Sequence, residues 1–239
     1  MKAPVSLGLF LAAGLLVARA ADSAAAVSAH WEGKLQMDAT HEIDMALDLE
    51  QGPQGTWIGT VSFPKSTARD VPFDTLRVTD ATVQFTAHVP RPAAFTATLA
   101  PDGGELTGTA TNEEGEAPFQ LKRNGAASVK LPPPSSPLSA EFAGAWEGVL
   151  QASSGPRTVK LTLAAGSDGT AAGTLVSAAG ERIQEFLITS VAIQNKELQL
   201  ELRSISGRYT GTLGDNGEIN GEWSQGPNHL PLVFKRVQP

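Results

Sequence analysis

Few residues of this chain have the types and spacing that catalysis requires. Ser62 and Lys65 fit the Ser-x-x-Lys pattern of β-lactamase-like enzymes, in which the lysine lies one helical turn from the serine nucleophile. Pro64 lies between them in a segment with strand character, which disfavours that helix. The second half of the chain has no matching pair, and the nucleophile elbow Gly-x-Ser-x-Gly of α/β-hydrolases is absent. The sequence therefore predicts no catalytic residues.

Metal-binding patterns are equally sparse. The chain has four histidines, none of which recurs at the matching position of the other half. Asp38, His41 and Asp44 are the best candidate ligand set, but solvated hairpin residues explain them more simply. The segment Asp215–Glu218 is similar to the start of a calcium loop, but it lacks the remaining ligands and is more typical of a tight turn. We therefore expect no metal site and no cofactor.

Two of the four tryptophans occur at equivalent places in the two halves of the chain. Trp31 and Trp146 are each followed by a glutamate and then by a glycine, Gly33 or Gly148. A tryptophan has a large apolar body with one N–H donor and can close the end of a small core, while the glycine permits close packing. We expect these four residues to form a structural part of the repeat.

The other two tryptophans, Trp57 and Trp223, each lie where the other half of the chain has a small residue. An aromatic residue that is not duplicated is not needed by the common fold. Exposed aromatic side chains also mark many binding surfaces. We therefore predict Trp57 and Trp223 as the ligand-binding residues.

The chain is an internal tandem repeat with a shift of about 114 residues. Residues 31–36 and 146–151 share five of six residues, and the ends 118–123 and 231–236 match in character. The repeat predicts two units, 30–124 and 145–237. Residues 125–144 lie between the two units and contain four prolines within a short stretch, which is typical of an extended, semi-rigid linker. We expect this linker to hold two separate domains apart.

Apolar and polar residues alternate along most of each unit, which is the pattern of half-buried strands. Turn-forming Gly, Asn, Asp and Pro residues separate the runs. The pattern predicts eight strands in the first unit: 31–37, 42–49, 56–62, 71–79, 82–89, 93–99, 105–111 and 117–123. The fourth strand loses its alternation at one place in both units, which favours a β-bulge. The predicted fold is all-β, with two tandem eight-stranded meander barrels. The inward positions are mostly large and apolar, so we expect little space inside.

The N-terminal segment indicates export. Residues 1–20 have a basic start, an apolar run and a small-x-small end, which together are typical of a signal peptide. Residues 21–29 are predicted to be disordered. Removal of the signal leaves 16 basic and 25 acidic residues, a net charge of −9, which argues against nucleic acid as a partner. No later apolar run is long enough for a membrane span, so we expect no membrane insertion after cleavage and a periplasmic or secreted location.

The repeat also resembles a known family. The shared pattern is Trp-Glu-Gly, alternating strands, Gly-Thr, an aromatic-Thr-x-Thr-Leu strand, an Asp-Gly turn and a final strand that ends Lys-Arg. It resembles the small β-barrel repeat that precedes hydrolase domains in exported bacterial proteins, with a looser similarity to calycin and avidin barrels. The resemblance implies an accessory barrel of unknown ligand, without the hydrolase domain.

Three functions remain open at this point. The first is a non-catalytic exported binding or interaction protein, whose partner is a small molecule or a protein of the envelope or the extracellular space. The second is a secreted hydrolase of unrecognised type, which would use Ser62 and Lys65 or the region of Asp38 and His41. The third is a structural spacer that bridges two envelope partners through its two units.

Overall fold

The computed structural model describes residues 26–237. The predicted signal peptide, residues 1–20, lies outside this range. Within it, no helix is long and apolar enough to cross a membrane. The described chain consists of eighteen strands and one short 3-10 helix, Arg203–Ile205.

The first unit contains nine strands. They are β1 (Ala29–Gln36), β2 (Glu42–Gln51), β3 (Trp57–Ser62), β4 (Val71–Pro72), β5 (Thr75–Thr79), β6 (Thr82–His88), β7 (Pro92–Leu99), β8 (Glu105–Asn112) and β9 (Gly115–Arg123). The second unit contains the equivalent nine. They are β10 (Gly144–Ala152), β11 (Gly155–Ala165), β12 (Ala171–Ala179), β13 (Arg182–Leu187), β14 (Ser190–Gln194), β15 (Glu197–Leu202), β16 (Gly207–Leu213), β17 (Ile219–Gln225) and β18 (Asn228–Arg236).

Each unit is one antiparallel sheet in which neighbouring strands follow one another in sequence. The order of the first sheet is β4-β3-β2-β1-β9-β8-β7-β6-β5, and the second sheet repeats it as β13-β12-β11-β10-β18-β17-β16-β15-β14. The first and last strands of each unit, β1 with β9 and β10 with β18, pair in the middle of the sheet. This is the meander that the alternation predicts, and the all-β prediction of two tandem barrels is confirmed.

The two edges of the first sheet lie next to each other in sequence, and this closes the curve of the sheet. Between β4 and β5, the backbone N–H of Phe73 donates to Gly59 O at 3.2 Å on one side. The next N–H, that of Asp74, donates to Thr86 O at 2.8 Å on the other side. Two successive residues thus hydrogen-bond to strands on both sides of the break, which brings the two edges of the curled sheet together at this point.

The second unit repeats this junction. Ile188 N donates to Gly173 O at 3.0 Å, and Thr189 N donates to Glu201 O at 2.7 Å. We expected a bulge within one long fourth strand and therefore eight strands per unit. The structure instead has a break and nine strands, because the chain changes pairing partner at this point and neither half of the strand extends past it.

The two units have separate apolar cores. One cluster of buried side chains belongs to residues 27–121 and the other to residues 142–234. The inward side of each strand supplies alternate residues, as in β16, where Gly207, Tyr209 and Gly211 are buried and the residues between them are exposed. Each unit therefore buries its own hydrophobic surface, which is the dominant stabilising contribution to folding.

The segments before and between the barrels are more ordered than the sequence suggests. Residues 26–29 belong to the predicted disordered segment, but Val27 is fully buried and β1 begins at Ala29. In the linker, Phe142 is fully buried in the second core, and Ser136 N donates to Val191 O at 2.8 Å. Val27 and Phe142 are buried apolar residues that cover the end of each barrel, and their burial fixes the flanking segments against the barrels.

The two units also contact each other, although we expected the linker to hold them apart. The short 3-10 helix between β15 and β16 packs against the β3–β4 connection, where Arg69 N donates to Arg203 O at 3.2 Å. Arg203 Nη1 in turn donates to Asp70 O at 2.9 Å. The equivalent turn of the first unit, around Pro90, faces β12 and β13 of the second unit across a cleft that Gln184 and Phe186 line. The equivalent turns β6–β7 and β15–β16 thus each lie near the other unit.

Candidate ligand-binding site

A cavity of about 390 Å³ lies at one end of the second barrel. We name it the second-unit cavity. Its lining includes the apolar residues Leu150, Val159, Leu175, Phe186, Trp223 and Leu232. Six of the sixteen lining residues are polar, and Arg157 and Asn228 are among them. An apolar interior with a few polar groups is the usual composition of a small-molecule site.

A cavity of about 460 Å³ lies at the equivalent end of the first barrel. We name it the first-unit cavity. It is lined by Leu35, Ile43, Phe63, Phe95, Ala110 and Ala117, among others. Glu114 and Glu116 are the charged residues of its lining. We expected barrels with little space inside, but both units leave a cavity at this end. In the first unit, Ala110 and Ala117 contribute small side chains to its wall.

The two cavities share part of their wall. Pro90 of the first unit and Ile205 of the second each line both cavities. These residues belong to the equivalent turns β6–β7 and β15–β16. The two barrels therefore open toward the same junction, so the position of one unit affects access to the cavity of the other.

The two tryptophans predicted to bind ligand lie in different surroundings. Trp223 is 6% exposed and lines the second-unit cavity. Trp57 begins β3 opposite Gln51, at the far end of β2 from Ile43, and packs partly against the first core. It lines neither cavity. The structure thus brings Trp223 to a candidate site, while Trp57 lies at the other end of its barrel.

The duplicated tryptophans occupy the opposite end of each barrel from the cavity. Trp31 and Trp146 are almost fully buried, and each indole N–H donates to the backbone carbonyl four residues earlier, at 3.1 Å and 2.9 Å. The guanidinium of Arg123 lies 4.9 Å from the ring centroid of Trp31, and that of Arg236 lies 4.2 Å from the ring centroid of Trp146. Such cation–π contacts cover the outer face of each ring.

Gly33 and Gly148 allow these end strands to approach their neighbours closely. A Cβ atom on Gly33 would lie 2.0 Å from Gln120 O, and one on Gly148 would lie 2.4 Å from Val233 O. Both oxygens belong to the last strand of the same unit. Glycine is therefore required where the first and last strands of each barrel pair.

The candidate catalytic and metal-binding residues take part in ordinary local contacts. Ser62 Oγ accepts a hydrogen bond from Asp70 N at 2.8 Å, and Lys65 Nζ lies 2.8 Å from Asp44 Oδ2. Asp38 accepts from the backbone N–H groups of Thr40 and His41, and the Thr40 hydrogen bonds hold the pKa of Asp38 below its usual value. Within residues 26–237, no three His, Asp or Glu side chains are grouped closely enough to bind a metal.

A charged cluster lies on the outer face of the first barrel. His30 Nδ1 lies 3.0 Å from Asp48 Oδ1, and its Nε2 lies 3.0 Å from Glu32 Oε1. Burial lowers the pKa of His30, but the hydrogen bonds to Glu32 and Asp48 outweigh it and raise the pKa above its ordinary value. Ser128 N of the linker donates to Asp48 Oδ1 at 2.7 Å, so the cluster also attaches the linker to the first barrel.

Sequence reasoning missed Arg157 and the shared wall. Arg157 follows the same alternation as Val159 and Leu161, which are buried in β11. A charged residue at an inward strand position was therefore visible in the sequence. The shared lining by Pro90 and Ile205 was not visible, since no local pattern predicts how two separate domains face each other.

Comparisons with known proteins do not assign the chain to a family. No family model matches it, and no curated protein matches it. Among solved structures it is similar to a candidate outer membrane protein from Bacteroides fragilis NCTC 9343, with 14% identity, a TM-score of 0.32, and coverage of 90% of this chain and 99% of the other. It is also similar to a protein of unknown function from the DUF3598 family of Nostoc punctiforme PCC 73102, with 11% identity, a TM-score of 0.26, and coverage of 89% and 97%. These scores are too low to support a conclusion about function, and the resemblance to barrels that precede hydrolase domains stays a prediction.

Proposed function

We propose that this chain is an exported, non-catalytic binding protein that takes small apolar molecules into the open ends of its two barrels. The observation that carries the proposal is the pair of cavities, about 390 and 460 Å³, at equivalent ends of the repeats. Small-molecule sites typically measure roughly 300–1,000 Å³ and are mostly apolar with a few polar groups. Both cavities have this size, and most of the residues that line each of them are apolar.

The contacts of the alternative catalytic residues favour binding over hydrolysis. A Ser-x-x-Lys nucleophile needs a free serine oxygen beside its lysine. Ser62 accepts from Asp70 N instead, and Lys65 pairs with Asp44. The spacer alternative needs two units that reach different partners, whereas the contacts of Arg203 with the first unit hold the barrel mouths together.

Export is the second part of the proposal, and it depends on the sequence of residues 1–20. Cleavage after Ala20 would leave an acidic chain without cysteine. Fractionation of the host, followed by N-terminal sequencing of the recovered protein, tests this part. Recovery of an uncleaved cytoplasmic chain would contradict it.

The binding proposal is tested by titration with a neutral, environment-sensitive dye such as Nile red. We expect saturable binding with a blue-shifted emission and up to two dye molecules per chain. Ala110 lines the first-unit cavity at the position where β17 of the second unit has Trp223. The second-unit cavity keeps about 390 Å³ with Trp223 in place, so Ala110→Trp should narrow the first-unit cavity and change the dye affinity of that site while both sites persist.

The matched control adds the same side chain away from the cavities. Ala172 is exposed on β12 and lines neither cavity. Ala172→Trp should leave the dye affinity of both sites unchanged. Dye binding that does not saturate, or that Ala110→Trp and Ala172→Trp change equally, would overturn the proposal.

A further inference from the structure

The two cavities are built from equivalent positions, and the residues at those positions differ in a consistent way. In the first unit, Leu35 of β1 pairs with Ile43 of β2. In the second unit, Leu150 of β10 pairs with Arg157 of β11. Because Leu35 and Leu150 line their respective cavities, the guanidinium of Arg157 takes the place of the Ile43 side chain.

Arg157 is held near the cavity without an acidic partner. It is half-buried and lines the second-unit cavity. Its Nη2 donates to Ser154 Oγ at 3.1 Å. Within residues 26–237, no carboxylate lies within 4.0 Å of its guanidinium. A guanidinium has five N–H donors and binds a carboxylate through two of them. Most of the donors of Arg157 are therefore available to a bound anion.

The second-unit cavity also has a fixed aromatic wall. Trp223 of β17 pairs with Leu230 of β18, at the position where the first unit pairs Ala110 with Ala117. The ring of Trp223 lies against Gly207, where an added Cβ would be 2.4 Å from Cη2. This contact keeps the ring in place. The cavity therefore combines a rigid apolar surface with one cationic group.

The first-unit cavity has the opposite charge. Glu114 and Glu116 are exposed and line its opening, and Glu114 Oε1 lies 2.5 Å from the guanidinium of Arg91. At the equivalent β17–β18 turn of the second unit, Pro227 and His229 take the positions of Glu114 and Glu116. Arg91 offsets the charge of Glu114, but among the described residues Glu116 has no cationic side chain within 4.0 Å. An anion is therefore repelled by Glu116 at the first opening and attracted by Arg157 at the second.

We infer that the second-unit cavity binds an amphiphile with an anionic head and an apolar body, with Arg157 on the head and Trp223 against the body, and that the first-unit cavity rejects this ligand. The inference rests on the proposed binding function and names its ligand class. The whole chain carries a net charge of −7. A preference for anions would therefore come from Arg157 and not from the charge of the chain.

The test compares two probes of equal chain length and opposite charge, decanoate and decyltrimethylammonium, by calorimetry below their micellar concentrations. We expect decanoate to bind at one site per chain and to displace Nile red from that site alone. Arg157→Gln should weaken decanoate binding by roughly tenfold, since a hydrogen-bonded charge pair contributes on that order. The same variant should leave Nile red binding unchanged.

Arg182→Gln is the matched control, because Arg182 is an exposed arginine of β13 that does not line the second-unit cavity. It should leave decanoate affinity unchanged. Equal binding of both probes, or an unchanged decanoate affinity in Arg157→Gln, would overturn the inference while Nile red binding still supports the proposed function. Failure of all three probes to bind would overturn both.

Discussion

Substitution of Gly33 by alanine tests how closely the first and last strands of a barrel must pair. The added Cβ would lie 2.0 Å from Gln120 O and 2.9 Å from Leu121 Cα. A carbon–oxygen contact normally measures about 3.3 Å, so β1 and β9 would have to separate locally by roughly 1.3 Å. Backbone hydrogen bonds do not tolerate a stretch of this size.

The expected cost follows from two contributions. Overpacking of a tight site costs about 1–3 kcal/mol. Loss of one ladder hydrogen bond adds about 1 kcal/mol. We therefore expect Gly33→Ala to lower the free energy of unfolding of the first unit by about 2–4 kcal/mol. A unit of this size loses about 4–8 °C in melting temperature per kcal/mol, so the shift should be at least about 8 °C.

Differential scanning calorimetry measures this shift, and the repeat supplies the controls. Gly148→Ala places its Cβ 2.4 Å from Val233 O, so it should destabilise the second unit by a smaller amount. Gly52→Ala places its Cβ 3.5 Å from Thr56 O, an ordinary contact, and should have little effect. If Gly33→Ala melts within about 2 °C of Gly52→Ala, the close approach of the strands does not constrain the barrel as we infer.

Two further predictions concern the charged groups. His30→Gln should destabilise the protein more at about pH 5.5 than at about pH 9 in chemical denaturation. The raised pKa of His30 in the folded state stabilises that state at a pH below the pKa of the unfolded state, and this contribution is lost as the pH rises through the pKa of the folded state. A loss of stability that does not depend on pH would contradict this. Arg203→Ala should increase hydrogen exchange of the linker around Lys130, since Arg203 Nη1 donates to Lys130 O and to Asp70 O. Unchanged exchange there would show that other contacts hold the junction.

The barrel fold could be predicted because its determinants are local and occur twice. Alternation along strands such as β11 and β15 defines the buried face without knowledge of the rest of the chain. The break between β4 and β5 was also visible, since both units lose their alternation at the same place. It was interpreted as a bulge because a sequence pattern does not show that the chain changes its pairing partner there.

The candidate site was predictable only in part. The absence of a duplicate predicts Trp223 as a binding residue, and Trp223 does line a cavity. The same reasoning predicts Trp57, which lines neither cavity. The size of a cavity depends on the summed volumes of residues from several strands, as in the pair Ala110 and Ala117. Such pairs are distant in sequence, so their shared effect appears only when the register of the strands is known.

The position of two equivalent turns at one junction has a consequence for how the two halves can diverge. In a dimer of identical subunits, any substitution appears on both sides of the axis. Here the two halves belong to one polypeptide, so a change such as alanine to tryptophan at the position of Ala110 and Trp223 occurs on one side alone. Because the two halves are joined in one chain, the first-unit and second-unit cavities can each change without a matching change in the other.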